Sequence, residues 1–352
     1  MYHETILYDI DSNLYFKGKI LDRKFQMAED RNLKKDRQGD VDSYKKNCVK
    51  YCLNNKINIS YINHISGLLN NDADMQDYVN TLIPGSFGMR YLFTLKSPYF
   101  SRDTDELYIV QNPILKEYTT KIPMIRGAGW KGYLSSAALK ILKEKSEDDK
   151  YNISCIIKDY LSYTRVFGTG SKDFRSMKEI LTSSLEKGNG DCEKALISYC
   201  LKDLGINIKL NKNGTSIVGQ LVEQILKKKE KARDVFSVNK GRGLFYPTYF
   251  NKVDYEIINP QDKGKRKGTN PIFYEVVPKG SKGTFQFIYI PFNGILKDTK
   301  ELNNEIKDDQ KFIKDIFQYC LNDKGIGAKT KLGWGLAEDF KNEDLNIISF
   351  KR

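Results

Sequence analysis

Histidine is nearly missing from this chain: only His3 and His64 occur among 352 residues. Any general base or Ser-His or Cys-His nucleophile built on imidazole would have to use one of these two, and His64, within SYINHISGLL, reads as a helix or loop residue. The six cysteines, Cys48, Cys52, Cys155, Cys192, Cys200 and Cys320, include no CxxC pair. Such scattered ligands do not build a zinc site, so reduced, buried thiols are expected, with no metal and no cofactor. No run of 18 apolar residues is present, and the opening MYHETILYDIDSN has no apolar core. Neither a membrane-crossing helix nor a secretory signal is therefore expected, which places the protein in the cytoplasm, away from membranes. A GxxxxGK[ST] phosphate loop and a strand-borne GxGxxG fingerprint are also lacking, which argues against a P-loop nucleotide hydrolase and a dinucleotide-binding fold.

What is present is positive charge. Lys and Arg number 58 against 45 Asp and Glu, a net charge of +13 at pH 7, and hydrophobic residues make up 40% of the chain. This is the balance of a basic globular protein, long enough for about two to three domains at roughly 100–200 residues each. An excess of this sign favours a polyanionic partner, because each ammonium or guanidinium that neutralises a phosphate releases condensed counterions. A merely solvated, lysine-rich surface is the alternative, and composition alone does not separate the two.

Residues 1–85 read as a polar, partly helical N-terminal extension, with the charged stretch RNLKKDRQGD and a short helix through DSYKKNCVKYCLNN. Residues 86–352 read as the main domain. In RYLFTLKS, Tyr91, Phe93 and Leu95 share one side, the period of a strand, and a long loop follows from Pro98 to Lys121. From near Gly129 the period changes, with Trp130, Leu134, Ala137, Ala138, Ile141 and Leu142 at helical spacing. Residues 145–235 carry further helical patterns and read as a large helical insertion. Strands return in FYPTYF, KVDYEII, FYEVVP and TFQFIYIPF, the last two joined by KGSKG as an expected hairpin. KFIKDIFQYCLND then places Phe312, Ile313, Ile316, Phe317, Cys320 and Leu321 on one helical face, stopping at Gly325, and LAEDF supplies the last expected strand. The order is βαββαβ, which predicts an α+β, ferredoxin-like (RRM-like) core carrying two helices on one sheet face. The other face is expected to be open to a nucleic acid strand.

Two glycine-rich elements stand out. GIGAKTKLGWG places Gly325, Gly327, Gly333 and Gly335 around Lys329, Thr330 and Lys331, with Trp334 available to stack on a base or ribose. Glycines permit close backbone approach, and the peptide N–H groups with two ammoniums suit a phosphodiester chain. A tight helix-to-strand connection is the competing reading. KIPMIRGAGWKGYL sets Arg126, Gly127, Gly129 and Lys131 at the opening of a helix, whose unpaired N–H groups suit a phosphate; ordinary glycine punctuation competes with that. IPGS at 83–86 leads into a strand and carries no such expectation. The DKGKRKG stretch at 262–268 and KKKEKAR at 227–233 read as RNA or subunit contacts or equally as solvated ends. Tyr246, Tyr249 and Phe250 offer stacking surfaces, although core packing is the commoner fate of strand aromatics.

The helix-opening IP-x-x-x-G-x-G-x-KG, followed much later by GIGAKTKLGWG, resembles the RAMP superfamily of RNA-binding proteins that assemble type III CRISPR effector complexes. Within it, NPILKEYTTKIPMI, RVFGTGSKD and the stretch from VDYEIINPQD to TFQFIYI are similar to the sixth-subunit class of the type III-B Cmr complex, over about Arg90 to Phe340. The resemblance implies a non-catalytic, crRNA-binding structural subunit in antiviral defence, partnered by crRNA, target RNA and other RAMP/Cas subunits. It also places the chain toward the guide's 3′ end. The family's Pro-Gly-Ser-Ser-hydrophobic-Lys-Gly motif falls on Arg126 to Gly132 without either serine, which leaves backbone amides, Lys131 and Arg126 to hold phosphates. Where slicing relatives carry an aspartate two residues before a proline, this chain has Gln111 before Asn112 and Pro113. An amide serves neither as general base nor as anionic metal ligand there. The alternatives are an endoribonuclease of the same fold using Asp103, Asp105 or His64, and a free-standing RNA-binding protein.

Overall fold

The computed structural model describes residues 63–64, 66–103, 112–118, 122–147, 153–168, 240–258, 272–294 and 298–351. Their elements are α1 (Asp72–Asn80), β1 (Phe87–Thr94), β2 (Met124–Ile125), α2 (Gly127–Glu147), α3 (Ile153–Phe167), β3 (Gly243–Phe245), β4 (Thr248–Tyr249), β5 (Asp254–Ile258), β6 (Ile272–Val276), β7 (Lys282–Tyr289), α4 (Thr299–Tyr319) and β8 (Ile347–Ser349). The main sheet runs β3-β7-β1-β8, antiparallel throughout. With α2 and α3 between β1 and β3, and α4 between β7 and β8, this is the expected ferredoxin-like βαββαβ core with helical insertions.

Alternation builds the core. Phe87, Met89, Tyr91 and Phe93 of β1 and Phe285, Phe287 and Tyr289 of β7 point to one face, and the register pairs Phe87 with Tyr289, whose rings stack 4.6 Å apart. Onto that face α2 lays Trp130, Leu134, Ala137, Ala138 and Leu142, and α4 lays Ile313, Ile316 and Phe317. Trp130 is fully buried, 4.8 Å from the Phe285 ring, and its indole N–H donates to Thr248 Oγ1 at 2.9 Å. Thr248 in turn donates to the Thr284 carbonyl at 2.6 Å, so the polar atom of the largest core side chain is satisfied.

The opposite face is covered along much of its length, contrary to the sequence expectation. Met75 and Val79 of α1 pack with Ile288 and Ile348, and Gly88 lies directly beneath Met75, where a side chain would collide with its thioether. The Gln286 amide accepts from Leu69 N at 2.8 Å, and Arg90 Nε donates to the Leu69 carbonyl at 2.9 Å. An alternation reading assigns a face but not its cover, which arrives here from the polar N-terminal side of the chain.

Two pairings also differ from the sequence reading. KGSKG does not join β6 to β7 as a hairpin: β6 pairs with β5, while β7 is drawn between β1 and β3 because its apolar residues complete the core. Leu95 exchanges backbone bonds with Ser281 and Gly280, so the connection turns against the end of β1. LAEDF adds only a bridge between Leu95 and Ala337, and the last strand is Ile347–Ser349, beside β1. Helix α2 begins at Gly127, two residues before the expected start, and α4 runs through a π-helical turn, Cys320–Lys324, to its expected stop at Gly325. Tyr249 and Phe250 are buried in the core. Gly168 and Lys240 form an antiparallel bridge. Apart from α3, the expected insertion lies outside the described residues, as do 227–233, 262–268 and the helix expected within the first 62 residues.

Candidate functional site

The loop from Gly325 to Gly335 is clamped at its base. Ile326 N donates to the Gly335 carbonyl at 2.9 Å, Gly335 N to Pro98 O at 2.8 Å and Ala328 N to Phe100 O at 2.7 Å. Gly325, Gly327 and Gly335 all have φ near +80°, and a Cβ on each would strike a backbone oxygen: that of Trp334, Phe100 and Ile326 respectively. Three of the four glycines thus have a packing reason. Gly333 is different, with φ +77° and open space where its Cβ would be.

Above this base rises a short tip. Leu332 N donates to Lys329 O and Gly333 N to Thr330 O, a 3-10 turn over Thr330–Leu332. Among the described residues, Lys329 is the one non-glycine residue with positive φ, at 64°. Lys329 and Lys331 are exposed, and so is Leu332, at 58%. The Lys329 ammonium lies 5.1 Å from the Tyr274 ring centre, a cation–π arrangement that steadies it without neutralising its charge. Trp334 is half-buried and meets Tyr274 and Phe100 edge-on, at 5.7 and 6.4 Å, so one side of its indole belongs to a small apolar cluster with β5 and β6.

The second element opens α2 at Gly127, whose missing Cβ makes room for the Phe245 carbonyl of β3. Arg126 and Lys131 are exposed there, and Gly129 is half-buried. Tyr99 and Tyr133 link the two elements. A Cβ on Gly327 would lie 2.8 Å from the Tyr99 ring, Tyr99 Oη is 3.4 Å from Tyr133 Oη, and a Cβ on Gly129 would lie 3.8 Å from that same Tyr133 hydroxyl. Burial pushes the Tyr99 phenol well above its usual pKa, so this link stays protonated and neutral at pH 7. The arrangement offers exposed cations and close backbone approach to an extended anionic chain.

Of the residues weighed for cleavage, Asp103 and His64 are among those described. Asp103 sits in a backbone pairing in which its N–H donates to Pro113 O at 3.0 Å and its carboxylate accepts from Lys116 N at 3.4 Å. His64 lies at an exposed turn whose carbonyl accepts from Gly67 N at 3.1 Å. Asp105 and Gln111 lie outside the described residues. Sequence reasoning missed Tyr274, the seat of the Lys329 ammonium, because nothing in FYEVV distinguishes a core tyrosine from one that faces a lysine.

It also missed a buried polar network between the helices and the sheet. Arg165 of α3 holds Asp309 of α4 by two donors, and Tyr289 Oη donates to Asp309 Oδ2. Arg242 donates to Tyr289 Oη at 2.8 Å and Glu305 at 3.1 Å. Burial raises the Asp309 pKa, against the lowering pull of Arg165. Its sequence signal is an acid on the apolar stripe of Ile306, Ile313 and Ile316.

Among the described residues no helix is long and apolar enough to cross a membrane. The chain is similar to a chain from a type III-B Cmr-beta complex bound to cognate target RNA, at 13% identity and a TM-score of 0.37, over 82% of this chain and 67% of that one. It is similar to Cmr6 from Pyrococcus furiosus at 16% identity and a TM-score of 0.31, over 72% of this chain and 99% of that one. A chain of a CRISPR RNA-guided surveillance complex in a pre-nicking state is similar at 10% identity and a TM-score of 0.34, over 72% of this chain and 76% of that one. No curated protein matches. The sequence model of the RAMP superfamily matches residues 92–338, most of the chain and both glycine-rich elements, and the chain belongs to the RAMP superfamily.

Proposed function

We propose that this chain is a non-catalytic structural subunit that holds crRNA in a type III CRISPR ribonucleoprotein effector complex, in the cytoplasm and in antiviral defence, in the manner of the sixth-subunit class of the Cmr assembly. Its partners are crRNA, the target RNA paired to it and neighbouring RAMP/Cas subunits. The observation that carries this reading is the tip at Ala328–Gly333, raised on a glycine base, carrying exposed Lys329 and Lys331 and linked to the start of α2 through Tyr99 and Tyr133. Lys329, Lys331, Lys131 and Arg126 neutralise phosphates, while N–H groups of the loop and helix start approach the backbone. Trp334 presents its free side to a base or ribose. Contacts of this kind position RNA without reading its sequence.

The test incubates the purified protein with end-labelled single-stranded RNA and Mg²⁺ over a salt series, reading binding and cleavage from the same samples. Intact RNA, with affinity that falls steeply as salt rises and is weakened by Lys329→Ala with Lys331→Ala, is the expected result. Metal-dependent cuts abolished by Asp103→Ala with Asp105→Ala would move the assignment to an endoribonuclease. Absence of binding by the isolated wild-type protein would overturn the autonomous contact assigned to the loop.

A further inference from the structure

Where the turn after α4 crosses α2, Lys324 reaches from the turn to α2 and Lys140 reaches from α2 to the end of α4. Lys324, the last residue of the π-helical turn, is half-buried and donates to the Tyr133 carbonyl of α2 at 3.2 Å. Among the described residues it has no carboxylate at ion-pair distance, and an ammonium carries three donors. Lys140, two turns along α2, places its ammonium 5.6 Å from the ring centre of Tyr319, the last residue of α4. Among the described residues its acid partner is Glu144, 3.7 Å away with both side chains more than half exposed, a weak surface pair. Burial lowers the Lys324 pKa, and Lys140 pulls it the same way against the opposing influence of Cys320. A half-buried cation beside another cation is unfavourable unless an anion completes the site.

We propose that Lys324 and Lys140 form a second phosphate seat, which takes one phosphodiester group of the RNA strand as it leaves the glycine-rich tip. Lys324 directly precedes Gly325, and a Cβ on Gly325 would lie 3.4 Å from Thr330 Cγ2, so this seat adjoins the tip that carries Lys329 and Lys331. The inference rests on the RNA-binding reading and extends its footprint along α2. Two of the three Lys324 donors remain for phosphate oxygens, and the Tyr133 carbonyl holds the third in place.

The experiment measures the Kd of single-stranded RNA against salt for the full chain, Lys324→Met, Lys140→Gln and Lys329→Ala with Lys331→Ala, with a thermal midpoint for each free protein. Removing one phosphate contact reduces the slope of log K against log[salt] by about 0.7 for a single strand. Lys324→Met and Lys140→Gln are expected to show that reduction and weaken binding roughly three- to ten-fold at low salt, with midpoints equal to or above that of wild type. Lys324→Met retains most of the alkyl stem, and Lys140 is exposed, so Lys140→Gln keeps the test open if the other variant folds poorly. An unchanged slope in both variants overturns the seat, as does a lowered midpoint with an unchanged slope in Lys324→Met. If Lys329→Ala with Lys331→Ala binds like wild type while Lys324→Met does not, the tip reading fails and the seat stands. Wild-type protein that leaves the RNA free overturns both.

Discussion

Arg165 grips Asp309 with two teeth: its Nε lies 3.0 Å from each carboxylate oxygen, and its Nη2 lies 2.6 Å from Oδ1. The carboxylate is completely buried, and this pair links α3 to α4 beneath Tyr289 of the sheet. Asp309→Ala leaves the Arg165 guanidinium and the Tyr289 hydroxyl short of an acceptor and is expected to cost about 3–5 kcal/mol in urea unfolding. Arg165→Met combined with Asp309→Leu is expected to lose less than the sum of the single changes, because no charge is left stranded. Additive losses would show that the ion pair does not act as a unit.

Gly335→Ala should harm the protein more than Gly333→Ala, although both glycines have nearly the same φ. A methyl group at 335 meets the Ile326 carbonyl, whereas at 333 it meets open space. Gly333→Ala is expected to cost about 1 kcal/mol, the strain of a left-handed alanine alone. Midpoints of thermal unfolding rank the two, and equal losses would mean that the loop base yields.

Alkaline pH should weaken the fold steeply. Burial pushes the Cys320 thiol up to about 12 from a usual value of 9.0, and burial likewise holds Tyr99 and Tyr289 well above the normal phenol range. Between the two thiol values the unfolded chain has released a proton that the folded chain still holds. The associated stability is complete below pH 9 and is lost as pH rises toward 12, at about 1.4 kcal/mol per pH unit for each such group. Cys320→Ala lowers stability at pH 8 through the cavity it leaves, yet its decline from pH 9 to 11 is expected to be shallower than that of wild type.

Glu275 presents a second buried pair, accepting from Lys116 Nζ at 2.6 Å and from Ile114 N at 3.1 Å. Glu275→Ala is expected to destabilise by about 3–5 kcal/mol, and Glu275→Gln by less, because the amide oxygen still accepts one of the two bonds. Limited proteolysis around residues 112–118 should accelerate in Glu275→Ala ahead of the rest of the chain.

The elements themselves were legible wherever one period dominated. Tyr91, Phe93 and Leu95 marked β1, and Phe312, Ile313, Ile316 and Phe317 marked α4, because the buried faces of β1 and α4 are almost wholly apolar. Partnership was harder to read. FYEVV and TFQFIYI are close in sequence and both strand-like, yet β7 is claimed by β1 and β3 through Phe285, Phe287 and Tyr289. The cover that α1 lays over the second face rests on Met75 and Val79, two apolar residues in a polar stretch. At the candidate site, the glycine positions were visible, but the division of labour among them was not. That division depends on carbonyl oxygens of Phe100 and Ile326, and peptide groups leave no mark in a sequence.

The bridge between Gly168 and Lys240 sets the end of α3 beside the chain that leads into β3. Chain leaves and re-enters the described core at neighbouring points, so the closure entropy of the connection grows only slowly with its length. Arg242, which donates its backbone N–H to the Arg165 carbonyl, fixes the return to α3 just ahead of β3, so the register of β3 is set by the two ends and not by the number of residues between them.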